Sequence, residues 1–193
     1  MANRDVLRWV LDTNCLIDLD ERRANAVHLD RLLTAWRAGE VELAVVAVSA
    51  SENQQDGRAG RDFSVFERRL SRIGLADVTV LLPPAIWDVA FYDHALWSTT
   101  EMDELVSRVN QVLFPGNSTT PPFDVASNSK WRNRLCDVLV AWACIHHKWP
   151  HLVTNDRNFH RHLAELQTLG LTTIIEPYEL TSAYIWPQGM DHP

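Results

Sequence analysis

Glycine is scarce in this chain, with seven residues among 193, and no Gly-x-Ser-x-Gly elbow or glycine-rich loop ending in Lys-Ser/Thr is present. Those absences exclude the serine-hydrolase nucleophile turn and the phosphate-binding loop of nucleotidases. Cysteine is scarcer still. Cys15, Cys136 and Cys144 cannot all pair, and none belongs to a close pair of the kind that holds zinc or does redox chemistry. They read as reduced core residues of a cytoplasmic protein. Long apolar runs are also missing. Leu43–Val48 and Val78–Leu82 fall far short of the roughly 20 residues that a membrane-spanning helix needs. The opening MANRDVLRWVLD has no apolar signal core, so neither export nor a membrane is expected. Basic residues number 18 against 25 acidic, a net charge of −7 that disfavours holding nucleic acid by bulk attraction alone.

A hydrophobic content of 46% over 193 residues supports one domain with a sizeable core. Val6–Leu11 and Val41–Val48 are apolar and β-branched with little alternation, as in strands buried on both faces of a parallel sheet. Val78–Leu82, Leu152–Thr154 and Thr172–Ile175 predict three more strands. Helical spacing lies between them, in Leu29, Leu32, Leu33 and Trp36, in Phe63, Phe66, Leu70 and Ile73, and in Leu135, Val138, Leu139 and Trp142. Alternation of the two predicts an α/β layered fold. Residues 88–133 break the rhythm, with one helical stretch near Glu101–Phe114 and then the turn-rich FPGNSTTPPFDVASNS, which reads as an insertion or lid. The domain is expected over 1–180, with 181–193 as a loose tail.

Four acids occupy comparable places. Asp12 follows the first strand in VLDTN and Asp156 a late one in LVTND; Glu52 follows the second strand in VSASEN, and Asp137 is expected in the first turn of a helix. Functional groups of open parallel sheets collect beyond the carboxyl ends of the strands, so the four are expected to share one crevice. Each has an ordinary alternative. Ser49-Ala50-Ser51-Glu52 fits a capping box, Asp137 in a first turn would favour the helix dipole, and Asp12 or Asp156 alone would be a turn residue. Together they mean more. Four ionised carboxylates at about 5 Å would repel by roughly 3 kcal/mol per pair at an effective dielectric of 20, more in sum than a domain's stability. Such a cluster needs bound cations or protonated members. Oxygen-only donors favour Mg2+ or Mn2+ over zinc. Two such cations would take the formal charge from −7 to −3 and give a phosphate a place to land.

With Asp12-Thr13-Asn14 after a buried strand, Glu52 opening a later helix, Asp137 before a small-residue helix and Thr154-Asn155-Asp156 before Phe159, the chain resembles the PIN-domain family from about Val6 to Leu180. The 88–133 segment fits least well. The resemblance implies a three-layer α/β/α sandwich around a parallel sheet of about five strands, and a metal-dependent endoribonuclease that hydrolyses phosphodiester bonds. It implies Asp12, Asp137 and Asp156 as direct or water-mediated ligands of Mg2+ or Mn2+, Glu52 as the fourth carboxylate, and Asn14 and Thr154 as supporting hydrogen-bond partners. The metal would activate a water for in-line attack without a protein nucleophile. Many members are toxins held by a small antitoxin protein, and homodimers are frequent. Toxins of that type are commonly shorter than this chain, and a non-catalytic RNA- or protein-binding module of the same fold is the remaining alternative.

Arg58, Arg61, Arg68, Arg69 and Arg72 read first as a solvated helix face and second as a phosphate-tracking surface. Lys130, Arg132, Arg134 and Arg157, close to acidic motifs, are candidate RNA contacts. His147 and His151 are four apart, but Pro150 is expected to end the helix between them, which argues against a shared metal site. Trp36 and Trp142 are expected in the core; Trp97 or Trp131, in the irregular region, are candidates for stacking on a base. A dehalogenase-type phosphohydrolase would need aspartate where Asn14 stands.

Overall fold

The short β-branched runs pair side by side as one parallel sheet in the computed structural model, which describes residues 6–51, 62–87, 89–120 and 128–180. Strand β1 is Arg8–Leu11. Helices α1 (Thr13–Asp20) and α2 (Ala26–Arg37) lead to β2 (Glu42–Val46), which runs into a 3-10 turn over Ala47–Ala50. Helix α3 (Phe63–Arg72) precedes β3 (Thr79–Leu81); a 3-10 turn at Tyr92–His94, α4 (Thr100–Leu113) and α5 (Ser129–His146) lead to β4 (His151–Val153). Helices α6 (Arg157–Arg161) and α7 (Leu163–Leu169) close the return to β5 (Thr173–Ile175).

The sheet order is β3-β2-β1-β4-β5, every pair parallel, with Leu11 opposite both Val45 and Val153. Because strand side chains alternate, each strand feeds two cores. Val10, Ala44, Val46, Leu152 and Ile174 face α4, α5 and α7. Trp9, Leu11, Leu43, Val45, Val153 and Ile175 face α1, α2 and α3. The result is a three-layer α/β/α sandwich. The first two crossovers cover one face and the last two the other, so the chain reverses its direction of winding between β1 and β4. That is the position where adjacent strand ends diverge and open a crevice.

The five strands lie where the apolar runs place them, four of them trimmed by a residue or more and β4 shifted one residue toward the N-terminus. Val48 leaves the sheet because the backbone turns 3-10 at Ala47. Helix α4, within the irregular segment, buries Met102, Val106, Val109 and Leu113 against α5, and Trp142 Nε1 donates to the Met102 carbonyl at 3.2 Å. No helix among the described residues is long and apolar enough to cross a membrane. All three cysteines are free and buried, as expected.

Candidate functional site

Asp12 leaves β1 in extended conformation (φ −72°, ψ 161°) and becomes the N-cap of α1, its Oδ1 accepting from Thr13 N at 2.7 Å. A short oxygen acceptor there satisfies an amide that has no partner within the helix. Asp156 repeats the device after β4, capping α6 by accepting from Asn158 N at 2.7 Å. Since β1 and β4 are neighbours, the two caps meet across the reversal point. Thr154 joins them: its hydroxyl donates to Asp12 Oδ2 at 2.6 Å and accepts from Asp156 N at 3.0 Å. Asn14 Nδ2 donates to the same Asp12 oxygen at 2.7 Å and to Thr154 Oγ1 at 3.1 Å, and Asn14 Oδ1 accepts from Asn155 N at 3.1 Å.

Every donor to Asp12 in this network is neutral. Asp12 is 4% exposed, and among the described residues no basic side chain pairs with it. Burial pushes its carboxyl up from 3.8 to about 6; bonds from Thr154 and Thr13 oppose the rise and the neighbouring Asp156 charge adds to it. The rise is worth about 3 kcal/mol against the ionised form. A cation beside Asp12 and Asp156 would remove that cost, and their donor set is all hard oxygen. Two buried hydroxyls at the same end of the sheet, Thr13 Oγ1 and Ser49 Oγ, have no partner among the described residues. Buried hydroxyls in that state favour a water or ligand that completes them.

Asp137 is not in a first turn. Helix α5 begins at Ser129, capped by Asn128, whose Oδ1 accepts from Trp131 N at 3.0 Å, so Asp137 falls in the third turn and is half-buried. From Asp137 down to His146 the helix descends about 13 Å at 1.5 Å per residue, and β1 climbs about 10 Å from Trp9 to Asp12. Further along α5 the Cys144 thiol is buried and pushed up by that burial and then by the Asp12 charge. Asp137 and Cys144 are two turns apart along one stripe of α5. The same helix packs on the Ala47–Ala50 turn.

Glu52 lies outside the described residues. Its proposed capping partner Ser49 is inside the 3-10 turn, whose N-cap is Val46, so Ser49 does not open an α-helix there. Among the described residues no three His, Cys, Asp or Glu side chains form a group that could hold a metal ion. The structure thus brings Asp12 and Asp156 together with Asn14 and Thr154, and places Asp137 in the third turn of α5.

Several expectations change. Arg69 is buried and not part of a solvated face, its Nε donating to Asp20 at 3.1 Å; Arg72 is exposed as expected, yet grips the same carboxylate from Nε at 2.9 Å and Nη2 at 2.7 Å, tying α3 to α1. Arg68 bonds Ser64, while Arg58 and Arg61 lie outside the described residues. Arg134 donates to Asn117; Arg132 is half-buried, and Lys130 and Arg157 are exposed. Trp131 is 5% exposed, packed in the α4–α5 core, and cannot stack on a base. His147 caps α5 and His151 lies in β4, so the two share no helix face, as Pro150 implies.

Sequence reasoning overlooked Asp18 and Asn155. Asp18, 4% exposed, accepts from Asn25 Nδ2 and Asn155 Nδ2, both at 2.8 Å, with Arg23 at 3.7 Å. Asn155 is thereby held from both sides, which fixes the backbone between Thr154 and Asp156. The available signal was Asn14 and Asp18, four apart on one face of α1.

Compared with protein-family models, curated proteins and solved structures, the chain finds no match.

Proposed function

We propose that this protein is a divalent-metal-dependent endoribonuclease of the PIN type, with Asp12 and Asp156 at the centre of its site. The observation that carries the reading is a buried carboxylate, Asp12, set beside a second one at the reversal point of a parallel sheet and held only by neutral donors. A purely structural buried carboxylate is expected to be neutralised by a cation, as paired charges in protein interiors are.

Asp12 and Asp156 would hold Mg2+ or Mn2+ through hard oxygens, with Asp137 from α5 and Glu52 completing the set. When bound, the ion supplies Lewis-acid activation of water and neutralises charge on the phosphate. The chain's own contribution is positional. Thr13 N, Asn14 and Thr154 fix the rotation of the Asp12 carboxylate, with two of these bonds on Oδ2 and one on Oδ1, and Asn158 N holds Asp156. Lys130 and Arg157, both exposed near the acidic motifs, are available to an RNA backbone. No protein nucleophile is required.

The test is purified protein incubated with structured and unstructured RNA, with Mn2+ or EDTA, beside Asp12→Asn and Asp137→Asn variants. Cleavage should need the metal and both carboxylates. Cleavage that persists in EDTA, or in the Asp12→Asn variant, refutes the reading. A toxin paired with an antitoxin protein would use the same chemistry, and a homodimer is compatible with it.

A further inference from the structure

After β3 the chain crosses from one core to the other. Val89 is buried against α4 and α5, whereas Phe91 packs with the opposite core against Phe63, ring centroids 5.4 Å apart. Ala85 N donates to Leu96 O and Leu96 N to Pro83 O, both at 2.8 Å, which pins the ends of the crossing together. Ile86 and Leu96 pack inward, while three rings stay outside: Trp87 is 69% exposed, Tyr92 52% and Trp97 83%. They form a row, with Trp87 and Tyr92 centroids 5.7 Å apart at 70° and Tyr92 and Trp97 6.5 Å apart at 39°. At those angles the rings do not cover one another's faces.

The charge around this row is of one sign. From Ile73 to Ser107 the chain carries six acidic residues and neither lysine nor arginine, so nearly all of the net charge of −7 resides in this stretch. Asp93 is exposed and follows Tyr92 directly. Trp97 stands two residues before Thr99, the cap of α4, whose side chain bonds the Glu101 carboxylate; Asp103 and Glu104 follow, both exposed. The helix dipole favours Glu101 and Asp103 in the first turn of α4, and gives no such reason for Asp93 or Glu104. Exposed acids elsewhere are matched: Glu42 meets Arg8, Asp30 meets Arg22 and Glu21 meets Arg23. Among the described residues none of Asp93, Glu101, Asp103 and Glu104 has an ion pair.

This combination selects among occupants. A polyanion would be repelled by the carboxylates. A second copy of the chain, set face to face on the same patch, would bring its own acids against them. A neutral apolar surface would cover the rings but strip water from acids it cannot pair. An arginine side chain answers both parts, since its guanidinium lies flat on an aromatic face and forks its N–H groups to a carboxylate. The ring spacings of 5.7 and 6.5 Å also match alternate residues of an extended chain, about 6.6 Å apart.

We propose that Trp87, Tyr92 and Trp97, together with Asp93 and the acids that open α4, dock an extended, arginine-bearing segment of a basic partner protein, with guanidiniums on alternate residues laid over successive rings. A basic partner on this face is independent of any chemistry at Asp12 and Asp156.

The experiment is fluorescence anisotropy of a labelled short peptide with arginine at every second position, titrated with the full chain, beside the same peptide with citrulline, the neutral isostere, in place of each arginine. The arginine peptide should bind roughly tenfold more tightly than the citrulline peptide. Trp97→Ala should weaken its binding roughly tenfold, and Trp97→Phe should restore most of it. Glu101→Gln combined with Glu104→Gln should weaken it by about threefold and flatten its salt dependence. No measurable binding, equal affinity for the two peptides, or an affinity unchanged in both Trp97→Ala and Trp87→Ala overturns the proposal. So does oligouridine that binds as tightly as the arginine peptide, or self-association of the chain that Trp97→Ala abolishes.

Discussion

Asp12 and Asp20 flank the same short helix, α1, and are treated in opposite ways. Asp20 receives two guanidiniums, from Arg69 and Arg72, and its charge is balanced by side chains that also bind α3 to α1. Asp12 is more deeply buried and receives amides and a hydroxyl, with another carboxylate as its charged neighbour. Both arrangements satisfy hydrogen bonds; only the first satisfies charge. The same fold balances Asp20 with two arginines and leaves Asp12 beside Asp156 without a basic partner among the described residues. Asp18 is intermediate, held by two asparagines with Arg23 at 3.7 Å, and it braces the loop that carries Asp156.

The comparison is broken most strongly at Asp12. Asp12→Asn should reduce metal-dependent RNA cleavage by roughly a thousandfold, the loss of about 4 kcal/mol of charge stabilisation. Asp20→Asn should leave the rate per folded molecule within about threefold of wild type, well under 1 kcal/mol of barrier. Initial rates at matched folded concentration decide this, and equal losses in the two variants would erase the distinction.

The same pair separates in stability. Asp20→Ala strands Arg69, 8% exposed, and should cost about 2 kcal/mol in urea unfolding, a figure reduced from that of a fully buried pair because Arg72 remains in solvent. Adding Arg69→Met should recover part of it. No recovery would mean that Arg69 serves packing and not charge.

In EDTA, Asp12 has a distinct pH signature. Its folded-state value is raised, so the protonated form is favoured by folding; that stability is present below about pH 4 and is lost as pH rises through about 6. The difference in unfolding free energy between wild type and Asp12→Asn should therefore move against wild type by about 2 to 3 kcal/mol between pH 4 and pH 8. A flat difference contradicts the burial argument. The smallest effect is expected at Asp156→Asn. Asparagine caps α6 as well as aspartate does, and the repulsion on Asp12 is relieved. Metal-free stability at pH 8 should rise by about 1 kcal/mol or less, and a fall in thermal stability in EDTA would count against the charge pair.

The strands and the Asp12–Asp156 meeting were legible because they depend on local patterns: β-branched runs, and Asp-Thr-Asn and Thr-Asn-Asp at the ends of two of them. The start of α5 was not. Its cap, Asn128, sits within a turn-rich stretch that resembles a loop throughout, and missing it misplaced both Asp137 and Trp131. The Asp20–Arg69–Arg72 and Asp18–Asn155 contacts were equally hidden, since pairs 49 and 137 residues apart leave no trace in local spacing. The outward row of Trp87, Tyr92 and Trp97 follows from which neighbours the cores absorb, a choice made only when the chain crosses the sheet edge.

Calorimetric titration with Mn2+ tests the proposed role of the Asp12–Asp156 pair most directly. Wild type should bind the ion and release protons, a substantial fraction of one at pH 6, where Asp12 is partly protonated, and almost none at pH 8, while Asp12→Asn should bind at least tenfold more weakly. Equal Mn2+ affinity in wild type and Asp12→Asn, or no binding to wild type, would contradict the account.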